Sequence, residues 1–139
     1  MNEKRTYIVT GCTGFVGNVL TKKLQREGAR VIGLARSERK VRRVFGDGAP
    51  EIVYGDVTDA GAIEALFCGD APFTVLHTAA VVSIGEADSA CLHGVTVGGT
   101  RTVVDACLAH GAKLLQISST EAMGGVFGED VPYVPDPAR

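Results

Sequence analysis

The sequence predicts an α/β domain built on a parallel β-sheet with helices on both faces. Three observations carry that expectation. Apolar runs of strand length at residues 7–10, 30–35, 51–54, 73–77 and 113–118 alternate with segments of helix length. The runs are almost continuously apolar, the pattern of strands covered on both sides. Glycines at 11, 14 and 17 stand between the first run and the first helical segment. Right-handed crossovers turn that alternation into a Rossmann-like doubly wound sheet within one domain, residues 1–139.

The elements follow in order. After the strand at 7–10, a helix from about residue 14 carries Phe15, Val16, Val19, Leu20 and Leu24 on one face, and Gly28 stands where a C-cap glycine belongs. The strand at 30–35 leads into a basic stretch with Arg36, Arg39, Lys40, Arg42 and Arg43, read as a mostly solvated face. Beyond the strand at 51–54, Thr58 or Asp59 can cap a helix that buries Ile63, Leu66 and Phe67. The strand at 73–77 precedes a long helix from about residue 88 to 110, ended by Gly111. The fifth strand, 113–118, opens into a Gly- and Pro-rich stretch with prolines at 132, 135 and 137, which reads as loop.

Composition narrows the function classes. With 45% hydrophobic and 22% charged residues the chain is an ordinary globular protein, and its net charge of −2 offers no attraction to nucleic acid or an anionic membrane. The four cysteines, at 12, 68, 91 and 107, form no close pair, and no histidine stands at metal-ligand spacing, so no metal is expected. A start that runs directly into a strand, with no apolar run of membrane-spanning length, reads as cytoplasmic.

The glycine turn points to chemistry. Gly11 lets the chain leave the strand sharply, Gly14 lets backbone approach a bound pyrophosphate, and Gly17 lets the new helix pack closely on the sheet. The N–H groups opening that helix then face the phosphates, with the helix dipole favouring their charge. No Gly-Lys-Ser/Thr follows, so this is not a Walker-type loop. At the end of the second strand Ala35 occupies the place where an NAD site usually carries Asp or Glu, and Arg36 follows. A guanidinium there can hold a 2′-phosphate through two charge-assisted hydrogen bonds, so NADP is expected in preference to NAD.

Five stretches in order resemble the extended short-chain dehydrogenase/reductase family. Thr10-Gly-Cys-Thr-Gly-Phe-Val-Gly17 resembles its opening motif, which places Thr13, Phe15 and Val16 beside the glycines at the cofactor. Gly55-Asp56-Val57-Thr58-Asp59 resembles the segment whose acidic residue and neighbour contact the adenine. His77-Thr78-Ala79-Ala80 resembles the small-residue turn under the cofactor, which implicates Thr78, Ala79 and Ala80. Residues 97–104 resemble the Gly-Thr-x-Asn-Val segment of the long helix, and Ile117-Ser118-Ser119 the strand end that supplies the catalytic serine. The wording around them, including Val82-Ser83-Ile84, is most similar to the dihydroflavonol-reductase and 3β-hydroxysteroid-dehydrogenase-like branch. The resemblance implies hydride exchange between nicotinamide and a small-molecule carbonyl or alcohol.

Two departures stand out. Thr96 and Thr102 occupy places where the family often has asparagine. The family's Tyr-x-x-x-Lys pair, its proton donor and the cation that tunes it, is absent: Tyr133 is followed four residues later by Pro137. The resemblance therefore implies a domain truncated after about its fifth strand, short of its catalytic helix. The loss of that helix is expected to bare Leu92, Val95, Val103 and Cys107 and to favour a homo-oligomer. Ser119 is the candidate for the serine that meets a substrate oxygen, with Thr120 a weaker rival; the plainer reading is that Ser118 and Ser119 satisfy backbone groups. His77 reads as structural and Cys12 as a tolerated small residue. A sugar-nucleotide epimerase or dehydratase, and a non-catalytic NADP-binding sensor, stay open beside the reductase reading.

Overall fold

A computed structural model of the protein describes residues 5–70, 72–81 and 89–119. At its centre lies β1 (Thr6–Thr10), which pairs in parallel with β2 (Arg30–Ala35) on one side and β4 (Phe73–His77) on the other. β3 (Glu51–Tyr54) extends the sheet beyond β2, and β5 (Lys113–Gln116) extends it beyond β4. The order is β3-β2-β1-β4-β5, a Rossmann-like doubly wound sheet.

Successive residues of the three central strands, β1, β2 and β4, feed opposite cores. Ile8 stands opposite Ile32 and Val75 and packs with Leu34, Ile63, Leu66, Val103 and Cys107 on one face. Val9, Val31 and Leu76 pack with Cys12 and Val41 on the other. Each large aliphatic side chain so enclosed contributes about 1.5–3 kcal/mol, so the sheet is held from both sides. This is why the strands read as continuous apolar runs.

The helices refine the expectations from sequence. α1 (Phe15–Arg26) packs on β1 and β2, but not with the whole apolar face its sequence suggested. Its inward stripe is Gly17, Leu20, Thr21 and Leu24, while Phe15, Val16 and Val19 face out, Phe15 at 89% exposure. Close helix–sheet packing selects the small residues Gly17 and Thr21 and rotates the larger neighbours away. The basic stretch is itself a helix, α2 (Glu38–Phe45): Ser37 caps it by accepting the Lys40 N–H, Glu38 lies in its first turn, and Val41 and Phe45 seat it.

On the opposite face, α3 (Ala60–Glu64) starts at Asp59, whose Oδ1 accepts the N–H groups of Gly61 and Ala62. The long helix has a break in register. α4 (Ser89–His93) passes into a π-helical stretch, Gly94–Gly99, before α5 (Thr100–Ala109). Val103 and Cys107 are buried against the sheet and α3, and Val95 packs against the same core. Those residues are therefore not the bared strip; Leu92 is only partly exposed, and the exposed apolar side chains of this region are Val97 and Leu108. The widened turn changes which residues face inward. β5 is two residues shorter than the apolar run, although the Ile117 N–H still donates to the His77 carbonyl at 3.0 Å.

Candidate functional site

The sheet order reverses direction at β1: the chain winds outward to β2 and β3, then returns to place β4 and β5 on the other side. Crossovers diverge at such a point and leave a crevice outside the carboxyl ends of the strands. A cleft of about 250 Å³ lies there. Gly11, Thr13 and Gly14 line it from the turn after β1, and Leu34, Ala35 and Arg36 from the end of β2. Lys40 reaches it from α2, Gly55, Asp56 and Val57 from the turn after β3. Thr78, Ala79, Ala80 and Val81 close it from the turn after β4, and Val95 from the π-helical stretch.

The turn after β1 is shaped by contact rather than by flexibility. Gly11 has φ +67°, and a Cβ on it would lie 2.9 Å from the Ala79 backbone. A Cβ on Gly17 would run into the Gly11 carbonyl. The Gly14 N–H closes the turn on the Gly11 carbonyl at 2.8 Å. Gly14 is then the N-cap of α1, with no side-chain cap and no acidic residue in the first turn. The helix thus presents its positive end to the cleft uncompensated by any side chain of its own cap.

Asp56 and Arg36 set the charge at the β2–β3 side. The Thr58 backbone N–H, 3.0 Å from Asp56 Oδ1, holds that carboxyl below the ordinary carboxylate value, and the Thr58 hydroxyl and Arg36 act in the same direction. Arg36 approaches Asp56 Oδ2 only to 3.8 Å and is largely exposed. Beneath the cleft, His77 is fully buried; its Nδ1 lies 2.6 Å from Thr10 Oγ1, its Nε2 3.2 Å from Thr100 Oγ1, and burial lowers its pKa. Cys12 is buried, donates its thiol to the Leu34 carbonyl, and has a pKa pushed up to about 11 by burial. Both residues are built into the packing around the cleft.

Nine of the cofactor-binding candidates from sequence meet at this cleft, Gly11, Thr13, Gly14, Arg36, Asp56, Val57, Thr78, Ala79 and Ala80, together with Ala35, which was read as bearing on cofactor choice. Gly17 lies buried behind the turn, and Phe15 and Val16 point outward from α1, so none of the three lines it. Ser119 is exposed, three residues past β5, and is likewise not in the lining. Thr120, Tyr133 and Val82-Ser83-Ile84 lie outside the described residues. Lys40 escaped the sequence reading; Ser37 as a helix cap was the signal that places Lys40 one turn on, beside the end of β2. Val95 escaped because only the π-helical stretch turns it to the cleft.

The model of the NAD dependent epimerase/dehydratase family matches residues 7–137. The chain belongs to that family. It is 34% identical over 142 residues to 3 beta-hydroxysteroid dehydrogenase type 7 of Rattus norvegicus, with 91% of this chain and 41% of that protein covered. It is 33% identical over 144 residues to UDP-arabinose 4-epimerase 1 of Arabidopsis thaliana, covering 92% of this chain and 34% of that one. A short-chain dehydrogenase/reductase superfamily protein from Agrobacterium tumefaciens, solved with bound NAD, superposes with a TM-score of 0.73 at 28% identity, over 94% of this chain and 39% of that one. The chain thus spans 34–41% of the length of these relatives. Among the described residues no helix is long and apolar enough to cross a membrane, and no cluster of metal-ligating side chains occurs.

Proposed function

We propose that this chain is the dinucleotide-binding portion of an oxidoreductase that exchanges hydride between a nicotinamide cofactor and a carbonyl/alcohol substrate, with NADP preferred to NAD. The composition of the cleft carries this reading. One part of its lining is a glycine turn and an uncapped helix start; another is the pair Arg36 and Lys40 at the end of β2. The fit to a dinucleotide is local and steric as well as electrostatic. A Cβ on Gly11 would meet the Ala79 backbone, so the turn already sits at the limit of close approach, and Gly14 adds no side chain between α1 and a phosphate.

In this reading the N–H groups opening α1 hold the pyrophosphate, Asp56 and Val57 flank the adenine, and Arg36 with Lys40 holds the 2′-phosphate. Ala35 withholds the carboxylate that would repel that phosphate. The nicotinamide, when bound, supplies or accepts the hydride; Ser119 orients the substrate oxygen, and the rest of the chain binds and positions. A sugar-nucleotide epimerase is the second reading, supported by the 33% identity to a UDP-arabinose 4-epimerase.

Calorimetric titration separates the outcomes. NADPH should bind more tightly than NADH, and Ala35→Asp combined with Arg36→Ala should reverse that order. No binding of either at millimolar concentration overturns the dinucleotide reading. An unchanged affinity ratio in the double variant removes Arg36 from cofactor choice, and binding of a UDP-sugar with no preference for NADPH favours the epimerase.

A further inference from the structure

Thr10 Oγ1 is unusually committed for a single hydroxyl. It lies 3.2 Å from the Thr78 backbone N and 3.3 Å from the Ala79 backbone N, each the nitrogen of an N–H that it accepts. It also lies 2.6 Å from His77 Nδ1. A threonine hydroxyl has two lone pairs and one proton. The two amides occupy the lone pairs, so the proton must point at Nδ1. That leaves Nδ1 unprotonated and puts the ring proton on Nε2, which faces Thr100 Oγ1 at 3.2 Å. One donor direction then runs along the whole chain, from Thr10 to His77 to Thr100.

The two ends of this chain meet two different elements that line the cleft. Thr78 and Ala79, held by Thr10, line it directly, and Thr100 is the first residue after the π-helical stretch that carries Val95 into it. We propose that His77 is a positioning residue for the nucleotide cleft: locked as the Nε2–H tautomer, it orients the Thr10 hydroxyl, which in turn fixes the Thr78 and Ala79 amides and ties that wall to the long helix. This rests on the nucleotide reading above for its effect on affinity, but not for the tie itself.

The tie predicts a pattern that general stabilisation does not. Thr10→Val keeps the shape but leaves two amides and Nδ1 without their partner, whereas Thr10→Ser keeps the hydroxyl. Asparagine at position 77 can offer Oδ1 where Nδ1 stood, and leucine cannot. In the 139-residue chain, NADPH affinity should fall about tenfold in Thr10→Val and in His77→Leu, the loss expected when buried donors go unpaired. It should stay near wild type in Thr10→Ser, and should fall less in His77→Asn, which keeps a partner for Thr10 but not for Thr100, than in His77→Leu. Amide exchange measured by NMR without nucleotide should show Thr78 and Ala79 losing protection in Thr10→Val and keeping it in Thr10→Ser. Imidazole ¹⁵N shifts should show Nδ1 bare.

A proton on Nδ1, unchanged exchange in Thr10→Val, or equal affinity losses within each pair of variants would overturn the proposal. If the wild type binds neither nucleotide, the functional reading falls, and the exchange and tautomer measurements still decide the tie. If Thr10→Val does not fold, the His77→Asn and His77→Leu pair gives the same decision.

Discussion

Cys12 shows how burial decides what a reactive side chain can do. It sits within the glycine turn, beside a cleft, where a nucleophile could have been imagined. Instead its Sγ is enclosed by Gly33, whose missing side chain makes the room: a Cβ there would stand 2.7 Å from that sulfur. With a pKa of about 11, roughly one molecule in a thousand carries a thiolate at pH 8. Cys107 is also buried, and its pKa is raised by the same cause, while Cys68 is exposed. Alkylation of the native chain, read by peptide mass, should therefore label Cys68 well before Cys12 and Cys107, which should stay intact until the protein unfolds. Rapid native labelling of Cys12 would contradict its enclosure. The structural character of His77 was legible from its place at the end of an apolar strand, and the inert character of Cys12 from the need of a reactive thiol for an electropositive, accessible setting. Lys40 was missed because the basic run read as a solvated face and Ser37 was not read as the cap that starts a helix there.

The elements were legible where a strong period or a cap marks them. The continuous apolar runs gave the strands their places, and Thr58 or Asp59 marked the start of α3, with Asp59 the one that caps it. Errors arose where backbone geometry, not hydrophobicity, sets the inward face. α1 is the clearest case: Phe15, Val16 and Val19 face outward while Gly17 and Thr21, beside Leu20 and Leu24, let the helix lie close on β1 and β2. The π-helical stretch, Gly94–Gly99, is the other, since a single widened turn shifts every later residue around the axis. The closeness of α1 can be tested at its contact point. Gly17→Ala would press a methyl group onto the Gly11 carbonyl and within 2.8 Å of Thr78 Oγ1. Overpacking of that kind costs about 1–3 kcal/mol, and here it also displaces the turn that lines the cleft. Gly48→Ala meets nothing within 4 Å and should stay within about 0.5 kcal/mol of wild type. Urea denaturation of both variants, with NADPH titration, checks the contrast; equal stability would show that α1 can move away freely.

At the scale of the whole molecule, one face of the sheet is covered unevenly. α1 packs on β1 and β2, and α5 covers β4 and β5 from the opposite side. Leu115, in register with Leu76, belongs to the α1 side and is 49% exposed. Ile117 follows two residues later and is also exposed, as are Phe15, Val16 and Val19 on α1 itself. The apolar surface expected on the long helix is therefore displaced to β5 and α1. Exposed apolar area of this kind favours association, particularly beside β5, which is the last strand of the sheet among the described residues. Light scattering of the 139-residue chain should show a mass that rises with concentration, and Leu115→Ser with Ile117→Ser should suppress the rise. The 139 residues contain no Tyr-x-x-x-Lys, so under the proposed role of Ser119 a carbonyl there would meet no positioned proton donor of that kind. General acid–base assistance is worth about 10²–10⁴-fold, which sets the scale of the deficit. A panel of ketones and aldehydes should accordingly show no NADPH oxidation above background, even under conditions where NADPH binds. Turnover that disappears in Ser119→Ala would refute that expectation, and a mass independent of concentration would refute the role given to the bare face of β5.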